Sequence, residues 1–280
     1  MRRYKILKHL SQTFINRSRY GCYDKGWLSG THSYTPYIIL SRPRSGSNLL
    51  FTALKSHPNI ICFNEVFGWD KEILFKYPGY RWWAHDPEVV KLRDNRVEGF
   101  MDNYIYRSHP PGTGAVGFKL FYRQHRKVER SVWDWLAEHP EVRIIHLQRR
   151  NALKAFVSHK LALQTKTWVG VVENIEEYQV EVNPEELINY INALEHWQQQ
   201  IPKLYPEHPV QHLWFEDLVR DFENKCRMLC DFLEVPFHPM KIGTPQQGRY
   251  DLRQVVANWE EVEALLIEHG KEELILGWGD

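Results

Sequence analysis

One junction near the start of the chain constrains its fold more than any other feature. A short apolar run, Tyr37-Ile38-Ile39-Leu40, enters the turn Arg42-Pro43-Arg44-Ser45-Gly46-Ser47-Asn48, which leads at once into Leu49, Leu50, Ala53 and Leu54 on one helical face. An apolar run without alternation suits a strand buried on both sides, and such strands occur in parallel sheets covered by helices. The junction therefore reads as a strand, a tight polar turn and a helix that packs back on the sheet.

Three further segments share one grammar: an amphipathic helix, a His-Pro pair and a short apolar strand. They are Leu49–Lys55, His57-Pro58 and Ile60–Phe63; Val132–Ala137, His139-Pro140 and Val142–Leu147; Leu187–Leu204, His208-Pro209 and Val210–Phe215. Proline just past a helix end stops its continuation, and the β-branched runs that follow are strand-like. Their histidines read as turn fillers. With Tyr37–Leu40 and Ala115–Phe121, five strands alternate with helices. This predicts a single-domain, P-loop-like, doubly wound α/β fold with a mainly parallel five-stranded sheet over 36–280, preceded by a basic arm over 1–35. An aromatic-rich insertion spans 68–114, with one helix starting near Asp86-Pro87. A last helix is expected from Asp251 to about His269.

The 280 residues carry 36 basic and 35 acidic side chains, a net charge of +1, which argues against a nucleic-acid binder held by phosphate neutralisation. With 43% hydrophobic and 25% charged residues the chain is an ordinary globular protein rather than a disordered one. No apolar run reaches the ~18–20 residues of a membrane span. Arg2, Arg3, Lys5, Lys8, Arg17 and Arg19 precede the first acid without a secretory apolar block. Four cysteines form no disulfide framework, Cys226 and Cys230 have no partner pair at zinc spacing, and no metal site is expected; a reducing, cytoplasmic setting follows. Charge is nonetheless uneven: eleven basic residues against four acids lie between Lys119 and Lys166, and seven acids without a Lys or Arg between Thr167 and Gln198. Either two solvated faces or an anion site in the middle explains this.

A Gly/Ser turn that opens a helix converges free N–H groups at the positive end of the helix dipole, a ready anion cradle. Gly46 admits close approach; Ser45, Ser47 and Asn48 add short donors; Arg42 and Arg44 add charge. The nucleotide-hydrolase pattern GxxxxGK[ST] is absent, since no Lys follows Gly46. A second candidate follows the fourth strand, where Gln148-Arg149-Arg150-Asn151 leads into Ala152–Leu163. Asn151, Lys154 and Ser158 share one face of that helix, so Ser158 can face the same crevice as a strand-end arginine, the side chain suited to fork onto phosphate. Two such corners on one sheet edge suit a nucleotide with phosphates at both ends.

These residues carry a resemblance. The chain resembles sulfotransferases that use 3′-phosphoadenosine 5′-phosphosulfate (PAPS), of the bacterial and carbohydrate type. Pro43-Arg44-Ser45-Gly46-Ser47 resembles their 5′-phosphosulfate loop; Arg150, Asn151 and Ser158 resemble their R-N-(x)6-S element for the 3′-phosphate; Trp214-Phe215-Glu216-Asp217-Leu218 resembles their Y-E-D-L strand end, largely structural there. Arg149 is the neighbouring alternative to Arg150, and the spacing to Ser158 favours the latter. The resemblance spans roughly 36–260 and implies PAPS as co-substrate without a metal, a small-molecule or sugar acceptor, and sulfuryl transfer to a hydroxyl or amine. It also implies that the Lys241–Trp259 stretch covers the nucleotide, with Gln247 and Arg249 as contacts.

Sulfuryl transfer needs a base for the acceptor proton and cations for the leaving group. Glu65, after the second strand, should face the anion loop, and the resemblance implies it as base; pairing with Arg44 or Arg42 is the other reading. Lys119, late in the third strand, needs a partner or the sheet edge for its charge and is expected to face the acceptor or sulfonate. His57, His125 and His146 are alternative bases. Among the insertion's aromatics, Phe67 and Trp69, with Trp168, are candidates to wall the acceptor site, while most of the others pack the insertion against the sheet. A P-loop phosphotransferase using a nucleoside triphosphate and a non-catalytic nucleotide-binding protein are the competing readings. Acceptor identity and oligomeric state stay open.

Overall fold

Five strands, each parallel to its neighbours, form one sheet in the computed structural model, which describes residues 22–23, 27–68, 71–77, 80–124, 131–168, 175–243 and 250–275. They are β1 (Thr35–Ser41), β2 (Ile60–Phe63), β3 (Ala115–Phe121), β4 (Arg143–Gln148) and β5 (Val210–Trp214), in the order β2-β3-β1-β4-β5. The doubly wound α/β fold expected from the continuous apolar strands is thus what forms. From β1 the chain winds outward through β2 and back to β3, then crosses to β4 and β5. Winding reverses between β1 and β4, and ligands in open α/β sheets bind beyond the strand ends at such a reversal. The turns leaving β1 and β4 are the two anion candidates.

Side-chain alternation divides the core. Ile38, Leu40, Val116, Phe118, Leu120 and Ile144 face one layer, with the insertion aromatics and α4 (Val132–Ala137). Tyr37, Ile39, Ala115, Ile145 and Leu147 face the other, with α1 (Ser47–Ser56), α7 (Phe215–Arg220) and α8 (Phe222–Phe232). A third cluster joins α5 (Ala152–Thr165), α6 (Pro184–Leu204), α9 (Leu252–Val255) and α10 (Trp259–Glu268). Within the insertion, Asp86 caps α2 (Pro87–Asn95) by accepting the Glu88 N–H at 2.9 Å, and a short α3 (Val97–Phe100) follows. No helix of the described residues is long and apolar enough to cross a membrane.

The His-Pro histidines do fill turns. His57 accepts the Asn59 N–H on Nδ1 at 3.2 Å, which leaves Nε2 to donate to the Pro236 carbonyl at 2.9 Å. His139 and His208 use Nδ1 on the Trp135 and Val142 carbonyls, at 2.7 and 2.8 Å. Several boundaries differ from expectation, two of them for a clear reason. The last helix is broken: Val256 is extended and bridges Val180, and Asn258 ties its side chain to both backbone groups of Val182, so the chain cannot stay helical there. The fifth strand ends one residue early, because Phe215 starts α7. Residues 1–21 of the basic arm lie outside the described residues.

Gly117 in β3 is the tightest point of the sheet. It pairs with Tyr37 of β1, whose ring crosses it so that the hydroxyl donates to the Ile61 carbonyl on β2 at 3.4 Å. A Cβ at Gly117 would fall 2.2 Å from the Tyr37 carbonyl oxygen and 2.6 Å from its ring. Gly117→Ala should therefore cost about 2–3 kcal/mol, the upper range for overpacking a core, read as a lowered urea midpoint with an unchanged slope.

Candidate active site

The turn after β1 is held by short local bonds. Ser45 donates its hydroxyl to the Arg42 carbonyl at 2.7 Å, and Arg44 and Gly46 take left-handed backbone angles, φ 69° and 85°. At Gly46 a side chain is excluded as well, because a Cβ would lie 2.0 Å from the Phe215 ring. This brings the turn down on α7 and presents the start of α1 at the strand tips. Gly46 stands at the N-cap, no side chain caps the helix, and its first turn holds no acid. A ten-residue helix with an uncapped start beside arginines is electrostatically incomplete without an anion.

Lys119 faces this helix start. Its ammonium is wholly buried and donates to Asn48 Oδ1 at 2.7 Å, while pairing with Glu65 Oε1 at 2.9 Å. The order of strands explains the meeting. Gly117 and Lys119 share the β3 face that packs on α1; Glu65 follows the end of β2, next to β3; Asn48 opens α1. Burial pulls the ammonium below its ordinary range, and the Glu65 carboxylate pulls it back. Glu65 keeps partial access to solvent, so the pair has one dry end and one wet end.

The turn after β4 meets the turn after β1 directly. Arg44 donates from Nε to Ser158 Oγ of α5 at 2.9 Å and from a terminal nitrogen to the Trp168 carbonyl at 2.8 Å. Arg149 donates to the Arg44 carbonyl at 2.9 Å, its guanidinium 5.0 Å from the Phe215 ring centre. Arg150 takes another course: it forks onto Asp217 with two 2.8 Å bonds, 4.8 Å from the Trp214 ring centre, and this pairing raises its pKa and lowers that of Asp217. The Arg150 and Asn151 N–H groups donate to Glu216. Asn151 caps α5 through the Lys154 N–H at 2.7 Å.

Ser45, Gly46, Ser47, Asn48, Arg44, Ser158, Lys119 and Glu65 therefore gather at one crevice, with the Trp168 backbone at its rim. Arg42 is drawn off: its guanidinium lies 3.7 Å over the Tyr190 ring and donates to the Tyr190 carbonyl. Phe67, expected at the acceptor wall, is 3% exposed and packs edge-on to Phe100 inside the insertion core, so its ring has no free face to offer. His146 is buried at the β4–β5 seam against Tyr122 and His212, and burial pushes its pKa down to about 3. Trp69, His125, Gln247 and Arg249 lie outside the described residues. The described residues on either side of Gln247 and Arg249 are anchored: Gly243 donates to Thr52 on α1 at 3.1 Å, and Tyr250 lies under Lys154 of α5. Sequence reasoning passed over Arg149 as a clamp on the first turn and Asp217 as the Arg150 partner. The signal for Asp217 was its place just past the end of a strand next to an arginine-tipped one.

Arginines, a buried lysine, a serine and an uncapped helix start at the winding reversal make this an α/β protein with a cation-lined crevice and a carboxylate at its edge. The sulfotransferase family model matches residues 36–239, and the chain belongs to that family. A solved sulfotransferase from Alicyclobacillus acidocaldarius is similar at 17% identity and a TM-score of 0.47, over 86% of this chain and 96% of that one. No curated protein matches.

The Lys119–Glu65 contact is measurable without any ligand. Lys119→Met should lower stability by roughly 2 kcal/mol, and a double-mutant cycle with Glu65→Gln should return a coupling of about 1–2 kcal/mol. Additive losses in urea unfolding would mean that the two groups do not pair in solution.

Proposed function

We propose that this sulfotransferase takes its sulfuryl group from PAPS and passes it to a hydroxyl, or an amine, of a small-molecule or sugar acceptor in the cytoplasm, with Glu65 as the base. The observation that carries this reading is the meeting of Lys119, Asn48 and Glu65 at the uncapped start of α1. The fit to a doubly anionic donor rests on the donors present: backbone and hydroxyl groups of Ser45, Gly46, Ser47 and Asn48 for the phosphosulfate end, with Arg44, and Ser158 and Arg150 for the 3′-phosphate. Arg44 holds Ser158, and Asp217 holds Arg150. Binding would exchange both contacts for phosphate oxygens, with Arg149 keeping the first turn in place.

In the transfer, the S–O bond to the phosphate breaks as a new S–O bond forms to the acceptor oxygen. Glu65 accepts the acceptor proton, and Arg44 and Lys119 neutralise the charge that collects on the departing phosphate. Fixed cations supply that stabilisation in a dry site without reorganising. Glu65 gains the proton while its partner Lys119 stays charged, so the ammonium becomes available to the leaving oxygen at the moment it is needed.

Calorimetry distinguishes the donors: 3′-phosphoadenosine 5′-phosphate should bind at least about a hundredfold more tightly than ATP, a difference of roughly 2.7 kcal/mol. Arg150→Ala with Ser158→Ala should remove most of that preference. Tighter ATP binding would favour the phosphotransferase reading and end this one.

Glu65→Gln should bind the nucleotide as before and lose about a hundredfold or more in turnover, the scale of a general base. Undiminished transfer of labelled sulfate would assign the base elsewhere.

A further inference from the structure

A second concavity lies apart from the strand tips, at the outer edge of the sheet. It encloses about 450 Å3 between the last turn of α1 and residues 72–77 and 80–85 of the insertion. That size suits a sugar or aryl unit, since small-ligand pockets run from roughly 300 to 1,000 Å3. Its described lining is charged in one sense: Lys55, Lys76, Arg81 and His85 stand against one acid, Glu72, which lies 3.6 Å from His85 Nε2. Three fixed cations around one cavity repel each other, and burial together with Lys76 already holds the Lys55 ammonium below its ordinary range.

The backbone of the cavity is shaped at a cost. Lys76 is left-handed at φ 50°, a conformation costing a non-glycine residue on the order of 1 kcal/mol, and its carbonyl accepts the Lys55 ammonium. Strain of this kind persists where the surroundings impose it. The floor is rigid and aromatic. Half-buried Tyr77 is fixed edge-on by Phe63 at 5.5 Å and by Tyr80 at 5.8 Å between ring centres. The same wall is tied to the candidate site, because the Phe75 carbonyl accepts the Asn64 N–H, one residue before Glu65.

We propose that this cavity seats a carboxylate or sulfate substituent on a ring of the acceptor, the ring lying on Tyr77 and the anion among Lys55, Lys76 and Arg81. The proposal rests on the acceptor reading above only in naming the ligand as acceptor; the binding itself is independent of it. An acceptor already bearing one negative charge would thus be preferred to its neutral counterpart.

The test uses the full chain and calorimetry with two probe pairs: a sulfated uronic-acid disaccharide against lactose, and 4-nitrophenyl sulfate against 4-nitrophenol. The charged member of at least one pair should bind about tenfold more tightly, and the exposed-site double variant K76Q/R81Q should erase that preference while leaving 3′-phosphoadenosine 5′-phosphate affinity unchanged. Preference within only the saccharide or only the aryl pair identifies the kind of ring and still supports the site. Equal binding of charged and neutral probes, or a charged probe held undiminished by the double variant, overturns it. A chain that ignores the adenosine bisphosphate but discriminates between the probes would sink the donor reading and leave the cavity standing.

Discussion

A charged lysine in the interior of a parallel sheet is tolerable only if something receives its three protons, and the site is organised around that demand. Lys119 lies on the β3 face that packs on α1, where water is excluded. Asn48 and Glu65 answer it from two other elements, the start of α1 and the end of β2. The hydrogen-bonded ion pair therefore fixes how the first turn, the helix it opens and the strand that follows sit relative to one another. Removing the lysine alone would leave both partners without it, which is where its contribution to stability lies. Packing alone does not call for a charge at this position, and the anion site proposed at the helix start would.

The same reasoning applies to the rest of the crevice. Helix starts ordinarily recruit Ser, Thr, Asp or Asn as caps and acids in the first turn. α1 has a left-handed glycine instead, no first-turn acid and Arg44 two residues earlier. Arg149 clamps the turn through its carbonyl and leans on Phe215, the ring that bars any side chain at Gly46. Each piece holds the cradle open and positive. Arg150 is forked onto Asp217, in the first turn of the helix that follows β5.

What could be read from the chain was what is local. Continuous apolar strands, His-Pro stops and a Gly/Ser turn before a helix are each decided within a few residues, and all five strands formed within a residue or two of where the pattern put them. The meeting of Glu65, Lys119 and the first turn was legible because parallel strands end on one edge, so topology alone brings their tips together. Side-chain partners were not legible in the same way. Arg42 and Arg44 stand two apart in one turn, yet one lies over Tyr190 and the other on Ser158, a choice made by α6, some 150 residues away. Phe67 reads like any aromatic near a site, but its fate depended on Phe100 filling the insertion core. The last helix broke because Val180 offered its neighbour a bridge that no helical periodicity announces.

In the proposed transfer Glu65 would take a proton while paired with a cation. The two ends of the pair differ in hydration: the lysine is dry and the glutamate partly wet. Lys119 is shared between the Glu65 carboxylate and the Asn48 amide oxygen. In the proposed transfer, charge accumulating on the leaving oxygen near the start of α1 would draw the ammonium toward itself, so one lysine would serve both the carboxylate and the leaving oxygen. Asn48 keeps that lysine within reach of both, which makes the amide at the second position of α1 as much a part of the device as the two charges.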